Sequence, residues 1–230
     1  MSEAAHGLLL VDKPGGLTSH DVVDVCRRAY GERSVGHLGT LDPFATGLLV
    51  LLFGRATRLA TFIATDPKVY EATIRFGSET ETDDRTGAAA RSAPCPTTQA
   101  IREAIVGLTG DLDQVPPAYS AKHVDGGSRA YVAARRGQPV ELAPVRVHVD
   151  RWDVRSMTEE RVEATVTCST GTYVRALARD LGRATGSAAH LTELRRTRVG
   201  AFTVDQAHTL GQISAAVPPP LRALRVVADA

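Results

Sequence analysis

The sequence predicts an α+β fold: a mixed, largely antiparallel sheet flanked by helices. Three observations carry that expectation. Segments with strand and helix periodicity are interspersed irregularly, without the βαβ rhythm of a doubly wound fold and without a G-x-G-x-x-G signature. Tyr70, Ala72, Ile74 and Phe76 alternate with Glu71, Thr73 and Arg75, the period of a half-buried strand. The 230 residues, 43% hydrophobic and 23% charged, match globular averages and suffice for one large core.

The elements follow in order. Gly7 to Val11 is a short apolar run stopped by Asp-Lys-Pro-Gly-Gly, a buried strand ending in a turn. A helix should follow, capped by Ser19, with Asp21 in its first turn, Val22, Val23, Cys26 and Ala29 on one face, and Gly31 at its end. The glycine-rich loop Gly36 to Gly47 then runs into Leu48 to Phe53, a continuous apolar strand covered on both faces, and a short helix near Thr57 to Ile63. After the alternating strand, residues 78–96 hold Glu79, Glu81, Asp83 and Asp84 and are expected to be an exposed acidic loop, before a helix capped by Thr97 or Thr98. Residues 111–144, with four prolines and the Gly126-Gly127 pair around a short Ser128 to Arg136 helix, suggest a protruding insertion. Strands through Val145 to Val149 and Val162 to Cys168, a helix from about Tyr173 to Ala184 and a strand through Leu194 to Phe202 complete the domain. The expected division is a catalytic domain over 1–212 and a short tail over 213–230.

Composition narrows the function classes. No apolar stretch reaches the roughly 18 residues of a membrane span, and the first residues lack the basic flank of a signal peptide, so no membrane partner is expected. Three widely spaced cysteines, Cys26, Cys95 and Cys168, suggest neither a disulfide framework nor a zinc ribbon, which favours a cytoplasmic setting. There is no P-loop pattern and no closely spaced metal-ligand set. The net charge of +1 conceals a partition: residues 61–121 carry 5 basic and 9 acidic side chains, and residues 122–198 carry 14 and 9. Thirteen of those 14 are arginine, whose planar fork suits phosphate and base stacking, so nucleic acid enters as a candidate partner beside a plain solvated surface.

The densest candidate for chemistry is Gly36-His37-Leu38-Gly39-Thr40-Leu41-Asp42-Pro43-Phe44-Ala45-Thr46-Gly47. Glycines allow close backbone approach to a ligand, Pro43 pushes Asp42 towards extended geometry, and a carboxylate is already ionised at neutral pH. This suits a positioned nucleophile; equally, Asp before Pro is a common turn residue. Taken alone, Tyr70 reads as core.

This loop resembles the catalytic motif of the TruB family of tRNA pseudouridine synthases. Lys13 to Ser19 resembles the family's opening motif and Lys68-Val69-Tyr70 its tyrosine segment, followed in order by Pro116 to Ala121, Arg129-Ala130-Tyr131, Cys168 to Arg175 and Leu194-Arg195-Arg196. The resemblance runs from about Gly7 to Leu210. It implies a pseudouridine synthase fold with an RNA-binding insertion, and isomerisation of uridine to pseudouridine at position 55, in the T loop of tRNA, by base flipping and without cofactor or metal. By the same resemblance Asp42 is the nucleophile, Arg175 its cationic partner and Tyr70 the catalytic ring that stacks on the flipped base and assists proton removal from carbon 5. Tyr173 and Leu194 line the uracil site, and His37 contacts the RNA. Lys13, Lys122, Arg129, Arg135 and Arg136 are implied RNA contacts. The implied partner is the tRNA T arm, with no obligate protein partner and a monomeric chain. The chain would be a short form without a full C-terminal PUA domain. A tRNA-folding chaperone acting without catalysis is the alternative, and an unrelated carboxylate-nucleophile hydrolase a third reading.

Overall fold

The computed structural model describes residues 6–120, 132 and 142–223. Two compact units result, one from residues 1–68 and 195–230, the other from Val69–Leu194.

The first unit is built on β1 (Gly7–Lys13) and β3 (Thr46–Phe53), antiparallel from Gly7↔Phe53 to Lys13↔Gly47. Leu8 and Leu10 join Leu48, Val50 and Leu52 in one buried cluster, while the intervening Leu9, Val11, Leu49 and Leu51 are equally buried. The strands are thus covered on both faces, as their continuous apolar runs predict. At roughly 1.5–3 kcal/mol per fully buried aliphatic side chain, these two strands anchor everything attached to their ends. The helix α1 (Ser19–Tyr30) ends at Gly31, but its cap is Thr18, not Ser19: Thr18 Oγ1 accepts from the Asp21 amide and the Asp21 carboxylate accepts from the Thr18 amide. Ser19 is buried and serves the Asp42 loop instead. β2 (Val35–His37) pairs with β3, and a 3₁₀ helix (Gly54–Phe62) follows β3.

The second unit orders its main sheet as β10-β4-β9-β8-β7, from β4 (Lys68–Phe76), β7 (Gly110–Gln114), β8 (Val145–Met157), β9 (Arg161–Cys168) and the leading part of β10 (Ala189–Val199). Helices α2 (Thr98–Gly107), capped by Thr97, and α3 (Val174–Ala184) accompany it. The segment 78–96 departs from the sequence expectation. Ser78–Thr80 (β5) and Ala89–Ser92 (β6) form a hairpin, and Glu79, Asp83 and Asp84 are buried rather than exposed. The reason is α3: Arg175, Arg179 and Arg183 stand four residues apart on one helix face and meet Asp84, Asp83 and Glu79 respectively. Gly110–Gln114, which the sequence places at the edge of the insertion, is a strand paired with β8. The expected helix at 128–136 lies outside the described residues.

The remainder of β10 returns to the first unit, pairing in parallel with β3 through Arg195↔Thr46 and Arg196↔Gly47 and antiparallel with β11 (Phe202–Thr203). β12 (His208–Thr209) runs parallel to β1, and α4 (Leu210–Ile213) follows. The last described residues cross the start of β1, where the Leu8 and Arg222 backbones exchange hydrogen bonds at 2.9 and 2.8 Å. The mixed, largely antiparallel sheet with flanking helices agrees with the expected class.

Candidate active site

Asp42 and His37 belong to the first unit. The half-buried Asp42 is bracketed by fixed neighbours. Before it, the Leu41 amide donates to Ser19 Oγ at 2.9 Å and Ser19 Oγ donates to the Leu41 carbonyl at 3.1 Å. After it, the Pro43 carbonyl accepts from the Gly16 amide at 2.8 Å and from Lys13 Nζ at 3.3 Å. The carboxylate therefore sits on backbone held from both sides, which is the preorganisation a nucleophile needs.

Lys13 is fully buried, and its ammonium also donates to the carbonyls of Pro14 and Leu17 at 2.9 and 2.7 Å. Its donors serve the loop, so the structure places it inside the site's support and not on a phosphate-facing surface. Burial pushes its pKa down to about 8, Asp42 opposes that fall and Arg196 adds to it. His37 ends β2, half-buried, with Nδ1 buried and without a hydrogen-bond partner among the described residues. Burial, with Arg196 and His20 reinforcing, pushes its pKa below the ordinary value, which favours a neutral ring at physiological pH.

Beneath the loop lies Arg196, 0% exposed, donating to the carbonyls of Leu48, Thr40 and Gly39. Arg195 beside it pairs with both Asp12 oxygens at 3.0 and 2.8 Å. Gly39 (φ 90°) and Gly47 (φ 99°) have backbones that side-chain-bearing residues rarely adopt. At Gly47 a Cβ would stand 2.2 Å from the Arg196 carbonyl oxygen. Gly47 is thus required by the close approach of a strand, while at Gly39 a Cβ would meet the Lys68 ammonium, 3.1 Å away.

Tyr70, Tyr173, Arg175 and Leu194 belong to the second unit. Tyr70 is on β4, 7% exposed, and Leu194 is buried on β10. The half-exposed Tyr173 precedes α3, where its amide donates to Gln114 Oε1 at 2.8 Å and its carbonyl accepts from Gln114 Nε2 at 3.2 Å. Arg175, buried in the first turn of α3, donates to the carbonyls of Thr82 at 2.8 Å and Tyr119 at 3.0 Å and lies 3.8 Å from Asp84. Asp84 is itself oriented by the Thr86 amide and the Thr82 hydroxyl, both at 2.8 Å. Lys122, Arg129, Arg135 and Arg136 lie outside the described residues.

The sequence assigns no site role to Ser19, Gln114, Asp84 or Arg196. Ser19 and Arg196 enter there only as members of the motifs Lys13 to Ser19 and Leu194-Arg195-Arg196, and an arginine inside a strand must find carbonyl acceptors if it is buried. Among the described residues, no group of three or more His, Cys, Asp or Glu side chains could hold a metal ion, and no helix is long and apolar enough to cross a membrane.

Residues 27–174 match the N-terminal domain of the TruB family pseudouridylate synthases, and residues 175–219 match the tRNA pseudouridylate synthase B C-terminal domain. A protein of Arthrobacter sp. (strain FB24) named tRNA pseudouridine synthase B is 53% identical over 216 residues, covering 90% of this chain and 70% of that protein. Its namesake from Mycobacterium sp. (strain KMS) is 50% identical over 214 residues, covering 90% and 72%. Among solved structures, the crystal structure of a Cbf5-Nop10-Gar1 complex superposes with a TM-score of 0.68 at 28% identity, over 90% of this chain and 53% of the matched one. The chain thus spans about half of that protein. An H/ACA RNP bound to a substrate RNA containing 2'-deoxyuridine gives 0.66 at 26% identity, over 90% and 52%. The fold is a pseudouridine synthase fold. The chain belongs to the TruB family of pseudouridylate synthases, and is an enzyme of the isomerase class.

Proposed function

We propose that this protein isomerises uridine to pseudouridine at position 55 in the T loop of tRNA, acting on a flipped nucleotide with Asp42 as nucleophile and without a cofactor. Asp42 attacks the sugar at C1′, displacing uracil from its N1, or adds to the uracil ring; in either course the N1–C1′ bond breaks, a C5–C1′ bond forms, Asp42 is released and the carbon-5 proton is lost to solvent, while Arg175 supplies the opposing charge. Tyr70 stacks on the base, whose π contact tolerates rotation of the ring before it rejoins through carbon 5. Tyr173 and Leu194 line the uracil, and His37 meets the RNA as a neutral hydrogen-bonding ring. Lys122, Arg129, Arg135 and Arg136 meet phosphates of the T arm, positioning it without reading sequence. The protein works as a monomer in the cytoplasm.

The observation that carries this reading is the bracketing of Asp42, with Leu41 bound to Ser19 and Pro43 bound to Gly16 and Lys13. A turn residue needs no such support on both sides. The name of both relatives, tRNA pseudouridine synthase B, supports tRNA as substrate.

The test is tritium release from carbon 5 of labelled uridine in an unmodified tRNA transcript. The expected result is about one tritium per tRNA, abolished by Asp42→Asn, a loss on the order of 10³-fold or more for removal of a nucleophile. Replacing the T-loop uridine should abolish it equally. Full release by Asp42→Asn overturns the assignment of the nucleophile; release that persists without the T-loop uridine overturns the position.

A further inference from the structure

Between His37, the end of β2, and Thr46, the start of β3, the chain leaves the sheet, presents Asp42 and returns. A loop of that length has many conformations unless something fixes its span. Arg196 contacts both limbs. Its Nη2 donates to the Gly39 carbonyl at 3.0 Å and its Nη1 to the Thr40 carbonyl at 3.3 Å, on the limb that leads to Asp42. Its Nε donates to the Leu48 carbonyl at 2.8 Å, on the limb that leads away. The backbone of the same residue sits opposite Gly47, so closely that a Cβ there would stand 2.2 Å from the Arg196 oxygen. One planar group therefore ties the two limbs of the loop together, and it is 0% exposed, out of reach of a polyanion.

We propose that Arg196 is a positioning residue for Asp42, setting the placement of the carboxylate while making no contact with RNA. The inference rests on the reading of Asp42 as nucleophile. The guanidinium suits this task because three separate nitrogens in one rigid plane each reach a different carbonyl, on two limbs of the chain; the donors of a lysine all issue from one flexible nitrogen and fix no such span. A fully buried cation beneath an apolar strand costs desolvation that a hydrophobic residue would avoid, so a purely stabilising role is a poor account of it.

The two roles differ in what they move. A positioning residue changes the chemical step and leaves RNA binding alone, since displacement of a reacting group by about 1 Å is enough to slow a reaction roughly 10²-fold. Single-turnover tritium release at saturating protein, tRNA affinity and melting temperature should be measured for wild type, Arg196→Lys, Arg196→Gln, Asp42→Asn and Val199→Ala. Val199 lies in the same strand and is buried in the same unit's core, so its truncation lowers stability without touching the loop's carbonyls.

With assays well below every melting temperature, Arg196→Lys should lower the rate constant on the order of 30-fold and Arg196→Gln further, while affinity stays within about threefold and Val199→Ala reacts like wild type. Equal rates for Arg196→Lys and Val199→Ala would overturn the inference. So would a rate loss explained by weaker tRNA binding. If neither Arg196 variant folds, Arg196 is a folding residue and the inference also fails. An active Asp42→Asn would instead remove the nucleophile reading on which it stands.

Discussion

Lys13 illustrates how a residue of the opening motif acts at the site through backbone. Its ammonium satisfies the carbonyls of Pro14, Leu17 and Pro43, and the last of these follows Asp42 directly. Lys13→Met should destabilise the protein by about 3 kcal/mol, because three carbonyls lose a charged donor in a buried place. The pH dependence has a definite sign. Burial lowers the folded-state pKa from 10.5 to about 8, so between those values the unfolded chain holds more protons, and Lys13's contribution to stability rises with pH. Below about pH 8 both states carry the proton and the contribution is flat. Urea titrations from pH 7 to 10 should therefore show the stability of wild type rising relative to Lys13→Met, and a parallel course would refute the assignment. The glycine and proline punctuation around Asp42 was readable in sequence because it is local. Its supports were not: Arg196 stands 156 residues from Thr40, and only the folded sheet brings them together.

At the scale of elements, α3 is read correctly from its apolar period, with Val174, Leu177, Ala178 and Leu181 all buried. Its second message, arginines at 175, 179 and 183, is equally periodic, yet periodicity alone cannot say whether such a face meets RNA phosphates or carboxylates. The partners lie about a hundred positions earlier, in a segment whose glycine, proline and acidic composition resembles a solvated loop. The pair Arg179–Asp83 carries the strongest consequence, since Arg179 Nη1 meets Asp83 at 3.0 Å and Nη2 meets the Val115 carbonyl at 2.8 Å. Arg179→Met leaves Asp83 buried without this cation, and should cost about 3–5 kcal/mol. Adding Asp83→Asn neutralises the stranded charge, so the double variant should recover more than about 1.5 kcal/mol of that loss in denaturant titrations. Simple additivity would show that the pair is not coupled. Arg183→Ala should cost only about 1 kcal/mol, because that side chain is 57% exposed where it meets Glu79.

For the whole molecule, these pairings change what its charge means. The acidic excess of residues 61–121 and the basic excess of 122–198 are joined within the second unit, through Asp84, Asp83 and Glu79 with the α3 arginines Arg175, Arg179 and Arg183, Glu71 with Arg155, and Asp111 and Asp113 with Arg146. Arginine content alone therefore overstates the surface available to RNA, and the same partition makes stability depend on acid. Burial disfavours ionised Glu79, but hydrogen bonds and charge from Arg183 and Arg91 outweigh it and hold its pKa below the ordinary value. Its stabilisation is therefore complete above the unfolded-state pKa and fades as pH falls through the folded-state one. Asp83 runs the other way: burial raises its pKa despite Arg179, Arg175 and Arg183, so its contribution is present below the unfolded-state value and is lost as pH rises through the folded-state one. On acidification Glu79 removes stability while Asp83 restores some. Urea titrations from pH 6 to 3 should show a shallower loss for Glu79→Gln than for wild type, and a steeper loss for Asp83→Asn. Slopes that move together in the two variants would mean that these carboxylates do not titrate as their surroundings require.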